Sequence, residues 1–222
     1  MFSVRVWDLP TRVCHWALAL LFLALVVSGQ IGGDWMVWHM RFGYAMLSLV
    51  LWRILWGCVG GYWSRFSNFM STPLQAWRFA RQFLAQKTHA VGHNPLGAWS
   101  VAAMLFCLGL QALAGLFSDD QISTSGPLTA LASQAWVERA TRWHTGSGKW
   151  ALLALVLLHL GSIYWYVRVR RIDLLRPMLN GEKILEHPAQ ESKDNIASRL
   201  LAAVLLLLCA TVVGLLVESG TP

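Results

Sequence analysis

Five stretches of about twenty apolar residues divide the chain, and they fix its surroundings before any other feature does. A bilayer core about 30 Å thick is crossed by about 20 residues of α-helix. The stretches run near Val13–Ile31, Val37–Val59, Leu96–Phe117, Gly146–Val167 and Ala197–Val217. The expected fold class is therefore all-α: an integral membrane bundle of four helices plus a fifth, C-terminal transmembrane helix. Composition agrees, with 13% charged residues where a soluble domain carries roughly a quarter. Thirteen tryptophans suit the headgroup level, where the ring is buried and its N–H stays wet. A net charge of +7 in a soluble protein would raise nucleic-acid binding. Here the cations sit in short loops between apolar runs, so membrane topology accounts for them and no nucleic-acid partner is expected.

The first stretch, with Arg5 and Arg12 ahead of it and Val27-Ser28-Gly29 near its end, also has the form of a cleaved leader. It is long for one, and cleavage would discard His15.

Lysine and arginine set the orientation. With the N-terminus cytoplasmic, that side carries Arg5, Arg12, Arg53, Arg65, Arg78, Arg81, Lys87, Arg168, Arg170, Arg171, Arg176, Lys183, Lys193 and Arg199. The opposite side carries only Arg41, Arg139, Arg142 and Lys149. Five spans then leave the C-terminus periplasmic, in a bacterial inner membrane. Thr72–Lys87 reads as an amphipathic helix in the cytoplasmic interface, with Leu74, Trp77, Ala80, Phe83 and Leu84 on one face and Arg78 and Arg81 elsewhere. Pro127–Thr141 reads as a weaker helix on the outer side, and Arg168–Asn195, with Pro177 and Pro188, as a solvated linker.

Ionisable groups inside a membrane are costly, so histidines in the spans call for a function. His89, His93 and His187 fall in loops and read as solvated. His15 and His159 share the inner depth of the bilayer, and His39 and His144 the outer depth. His144 and His159 are 15 residues apart, roughly 22 Å along a helix and on the same broad side of it. Two couples follow, each joining two different helices. Two axial imidazoles saturate a heme iron, which suits electron transfer, and a bundle core is a common place for such a cofactor. Zinc would need three or four ligands at one depth, and a proton relay would more naturally place acids inside the spans, which hold none. Single histidines that merely hydrogen-bond remain the alternative. Cys14 precedes His15, but Thr11 replaces the first cysteine of C-x-x-C-H, so heme would be held by coordination alone.

Around the couples, Gly43, Gly146, Gly148 and Gly161 remove side chains where a flat ring approaches backbone, although glycine also mediates helix packing, the form of Gly57-x-x-x-Gly61. Heme propionates want cations: Arg12 for the inner group, and Arg41, Arg142 and Lys149 for the outer. Arg53 is the one charge well inside a span and is expected to snorkel to the cytoplasmic face.

The opening Val6-Trp7-Asp8-Leu9-Pro10-Thr11-Arg12-Val13-Cys14-His15-Trp16 resembles the W-D-x-x-x-R-x-x-H-W start of bacterial cytochrome b561-type proteins, a group that includes the cytochrome b subunits of membrane nickel-iron hydrogenases. His39-x-x-x-Gly43, Trp143-His144 and Leu158-His159 resemble its further ligand motifs, in order, over about the first 175 residues. The resemblance implies a four-helix core with two b-type hemes (heme b), His15 and His159 on the inner iron and His39 and His144 on the outer. It implies electron exchange between quinone and a periplasmic redox protein such as a c-type cytochrome or hydrogenase, which makes Trp7, Asp8 and Arg12 at the cytoplasmic end the expected pocket or gate for the quinone, although no sharp quinone motif is present; some members oxidise superoxide. The expected organisation is a cytochrome core at 1–175, a linker at 176–196 and a fifth helix at 197–222, which offers a face to a partner or to a second copy as a homodimer. A redox-inert anchor for a soluble subunit, and a self-sufficient superoxide:quinone oxidoreductase, are the competing functions.

Overall fold

The computed structural model describes residues 1–82, 90–122 and 124–220. In chain order it comprises strand β1 (Phe2–Arg5), helices α1 (Leu9–Ile31), α2 (Met36–Val59), α3 (Phe66–Phe69), α4 (Pro73–Gln82), α5 (Pro95–Leu116), α6 (Gln134–Arg142), α7 (Gly148–Tyr164) and α8 (Leu175–Asn180), strand β2 (Glu182–Leu185) and helix α9 (Ile196–Glu218). Among the described residues, five helices are long and apolar enough to cross a membrane, and they coincide with the five apolar stretches. Their large exposed side chains, such as Leu20, Phe106, Leu157 and Leu207, are those a lipid environment accommodates.

Two compact units divide the chain, each taking part of every long helix. The first gathers Met1–Val13, Arg53–Met104 and Leu155–Ala202. Its centre is the start of α1. Asp8 is fully buried and caps the helix, accepting the Thr11 N–H at 2.8 Å. The same carboxylate accepts Trp56 Nε1–H at 3.1 Å and the Ser64 hydroxyl at 2.6 Å. Gly61 leaves room for it, because a Cβ there would strike the Asp8 carboxylate. Gly57, the other glycine of that motif, receives the ring of Phe66.

The stretch expected to be a solvated linker is folded in this unit. α8 ends at Gly181, whose φ of 91° places it in the left-handed region that glycine adopts without strain. The Gly181 carbonyl then accepts the N–H groups of Val6 and Trp7. β2 pairs antiparallel with β1, from Phe2 opposite Leu185 to Arg5 opposite Glu182. Burial holds the Lys183 ammonium below the usual lysine range, and it donates to the carbonyls of Ala90 and Val91. Asp194, its side chain 1% exposed, joins Arg5 to Arg199 on the first turn of α9 at 3.0 and 2.9 Å.

A helix is present in the Thr72–Lys87 segment as α4, with Ala76 and Phe79 buried and Leu74, Trp77, Arg78 and Arg81 exposed. Its expected continuation through Phe83, Leu84 and Lys87 lies outside the described residues, as does His89. Trp99 Nε1 donates to the Ser71 carbonyl at 3.1 Å, which ties the approach to α4 to the first turns of α5.

The second unit gathers Cys14–Trp52, Leu105–Ala154 and Ala203–Pro222. Leu47, Leu116, Leu128 and Val213 form its apolar cluster, so α9 packs here on its own chain. The outer helix expected from Pro127 starts instead at Gln134. Gly126 and Leu128 donate their N–H groups to the carbonyls of Ser118 and Leu116, at 2.7 and 2.9 Å. That backbone caps the end of α5 and is held out of a helix. α6 runs on through a wide π-type turn, Trp143–Ser147, into α7, and the backbone leaves helical values at Gly146.

Candidate heme site

His39 lies in the first turn of α2, and His144 in the π-type turn ahead of α7. The second unit brings these rings together, with centroids 6.0 Å apart and planes at 84°. His39 Nδ1 lies 3.1 Å from the Leu25 carbonyl oxygen and 3.1 Å from the Ser28 hydroxyl. His144 Nδ1 lies 2.9 Å from the Gln111 carbonyl oxygen. A carbonyl only accepts, so each Nδ1 carries the proton and donates it. Nε2 is then the nitrogen left to bind a metal, the arrangement in which a ligating imidazole is oriented through its other N–H.

Both rings border a cavity of about 400 Å³, within the second unit, whose walls include Gly29, Gly43, Gly115 and Lys149. That volume is in the range of small-molecule and cofactor pockets, about 300–1,000 Å³. Metal–nitrogen bonds of about 2 Å on opposite sides of one ion would set two imidazole centroids about 6 Å apart. The observed spacing, the protonated Nδ1 atoms and the glycine-lined space all fit a heme held between the two rings.

The glycines that meet the imidazoles are Gly29 and Gly115, neither of which the sequence singles out. A Cβ on Gly29 would stand 3.1 Å from His39 Cε1, and one on Gly115 2.9 Å from His144 Cε1. Gly43 borders the cavity with open space above it, Gly146 sits at the backbone departure, and Gly148 packs on Gln111 and Trp143. Gly161 also faces open space. Gln111 was missed as well. Its Nε2 donates to the His144 carbonyl at 2.7 Å, so it holds both peptide and ring of that residue. No sequence motif marks Leu25, which acts through a backbone carbonyl that every residue has; Gln111 offered one signal, a polar amide inside an apolar span.

The expected cations divide. Lys149 lines the cavity, its ammonium 5.3 Å from the Trp150 ring centre. Arg41 is exposed and lies over the Trp38 ring at 5.0 Å, and Arg142 is exposed at the end of α6. Arg12 donates to the Leu179 carbonyl in the first unit, a cation at the C-terminal end of α8.

His15 stands on α1, its ring edge-on to Trp16 at 5.1 Å, and half-buried His159 stands on α7, five residues before its end. His93 is half-buried rather than fully solvated: its ring packs against Trp7 at 4.8 Å and Phe69 at 4.7 Å. His187 is exposed, as a loop histidine should be. Arg53 turns its guanidinium to the segment that follows α2. It is buried, donates to the Ser64 carbonyl at 3.2 Å and lies 5.2 Å over the Phe66 ring. Trp7, Asp8 and Arg12 all fall in the first unit. Trp7 is packed with Val4 and Val6, and the other two serve the caps of α1 and α8.

The sequence is 26% identical to a protein named Probable Ni/Fe-hydrogenase B-type cytochrome subunit from Bradyrhizobium diazoefficiens, over 82% of this chain and 86% of that protein. Proteins of the same name from Rhizobium leguminosarum bv. viciae and Azotobacter vinelandii are 26% and 25% identical, each over 83% of this chain and 90% of theirs. No solved structure matches. The prokaryotic cytochrome b561 family matches residues 6–181, nearly the whole of the chain up to β2. Such membership excludes the redox-inert anchor. With its paired histidines and five apolar helices, the chain belongs to the prokaryotic cytochrome b561 family: a multi-pass membrane cytochrome that binds b-type heme and carries electrons.

Proposed function

We propose that the chain is a diheme electron-transfer subunit that moves electrons across the membrane between the quinone pool and a periplasmic redox partner. His39 and His144 hold the outer heme iron, and His15 and His159 the inner one. The heme-bearing core is 1–175, with the N-terminus cytoplasmic. The observation that carries this reading is the pair of imidazoles 6.0 Å apart, each with Nδ1 turned to a carbonyl. Bound heme supplies reversible one-electron chemistry at iron. The chain's own part is to fix both ligands and keep the site out of water. The relatives' names favour a nickel-iron hydrogenase as the partner. Lys149 faces the cavity and is the cation best placed for an outer propionate.

The test is heme counting on the purified full chain. Two b-type hemes per chain are expected by pyridine hemochrome, with low-spin bands in the reduced-minus-oxidised spectrum. His144→Ala should remove one heme and His159→Ala the other. Retention of both hemes by both variants would refute the assignment.

A further inference from the structure

Leu25 and Gln111 sit on different helices, yet each offers its carbonyl to an imidazole and each is followed four residues later by a glycine. On α1 the set is Leu25 and Gly29 with His39; on α5 it is Gln111 and Gly115 with His144. The spacing has a physical reason. A helical side chain leans toward the N-terminus and covers the turn before its own Cα. Residue i+4 therefore roofs the carbonyl of residue i. Glycine at i+4 removes that roof, and the carbonyl's second lone pair accepts the imidazole N–H while the helix bond stays intact.

We propose that this carbonyl-and-glycine pair is a repeated device by which α1 and α5 set the rotation of the two imidazoles, with Gly29 and Gly115 as positioning residues for the heme between them. The inference rests on the assignment of His39 and His144 as iron ligands. α5 carries no histidine, so this device gives it a role in the site that a ligand search misses. Gln111 strengthens the hold on α5, since its side-chain amide fixes the His144 peptide inside the π-type turn. Gly109, also on α5, is different: a Cβ there would make an ordinary 3.6 Å contact with Val50. The device is thus not a general property of glycine in these helices.

The experiment compares Gly115→Ala, Gly29→Ala, Gly109→Ala and His144→Ala in the purified full chain. The readouts are heme per chain, the low-spin g values in electron paramagnetic resonance, and midpoint potentials. Gly115→Ala, whose methyl would meet the ring at 2.9 Å, should lose most of one heme equivalent. Gly29→Ala, at 3.1 Å, should keep its heme with shifted g values and a shifted potential. Gly109→Ala should match the parent chain. If His144→Ala loses a heme while both Gly115→Ala and Gly29→Ala match Gly109→Ala, the device is refuted and the ligand assignment stands. If His144→Ala keeps every heme, the assignment falls and the device with it. Should Gly115→Ala fail to accumulate, the milder Gly29→Ala decides, since unchanged g values and potential there refute the device.

Discussion

Ser64 donates a 2.6 Å hydrogen bond to the buried carboxylate of Asp8, joining residues 56 apart in sequence. Thr11 and Trp56 donate to the same group. Asp8→Ala would strip the cap from α1 and leave the Thr11 hydroxyl as the shared partner of the buried Trp56 indole N–H and the Ser64 hydroxyl. The expected loss is about 2–4 kcal/mol, read as a lower midpoint in thermal unfolding in detergent. Asp8→Asn should lose less, because its amide oxygen still receives the Thr11 N–H.

Asp194 ties Arg5 to α9 and gives stability a pH dependence. Burial alone would raise its carboxyl. Hydrogen bonds from Arg199, the Leu9 N–H and Arg5, with the charge of Arg199, bring it below its ordinary value of 3.8. A carboxyl lowered by folding contributes fully above its unfolded value and loses that contribution as pH falls through the folded one. Asp194→Asn should therefore cost about 1–2 kcal/mol at neutral pH, a figure reduced because both arginines are partly solvent-screened. The two chains should converge in stability at pH values below 3.8. A constant gap down to acid would contradict this origin.

Lys149 lines the cavity of His39 and His144, whereas Arg41 and Arg142 are exposed. A nearby cation favours the reduced, less positive iron. Lys149→Gln should lower the midpoint potential of a heme held by His39 and His144 by on the order of 20–60 mV, the one-electron scale of about 0.5–1.5 kcal/mol. Potentiometric titration of Arg41→Gln and Arg142→Gln should show much smaller shifts.

On α4, Leu74, Trp77, Arg78 and Arg81 are exposed and fall at i, i+3, i+4 and i+7, so two apolar side chains and two guanidiniums share one face. In nanodiscs, bromine near the lipid headgroup should quench Trp77 fluorescence more than bromine deep in the acyl chain. Comparison with Trp77→Phe isolates that signal. Arg78→Glu with Arg81→Glu should weaken the quenching in anionic lipid, where each arginine contributes about 1 kcal/mol.

The five spans were legible because hydropathy is written into consecutive residues. So was the coupling of His39 with His144, since helix rise converts sequence position into depth. What stayed hidden has one cause: it depends on partners distant in sequence or on backbone atoms. Glu182–Leu185 is too short to declare itself a strand without Phe2–Arg5 beside it. His93 resembles any loop histidine until Trp7 and Phe69 close on it. Arg12, Arg41 and Arg142 had suitable charge and depth, but charge says nothing of which way a long side chain turns. Gly29 and Gly115 read as ordinary helix glycines until the rings stand against them.

The ribbon joining Phe2 to Leu185 also orders biogenesis. Its second strand leaves the ribosome only after four of the five apolar helices have been made. Until then the first strand has no mate, and the start of α1 lacks the tether that Gly181 gives to Val6 and Trp7. Closure of this clasp cannot precede synthesis of the segments that carry His15, His39, His144 and His159.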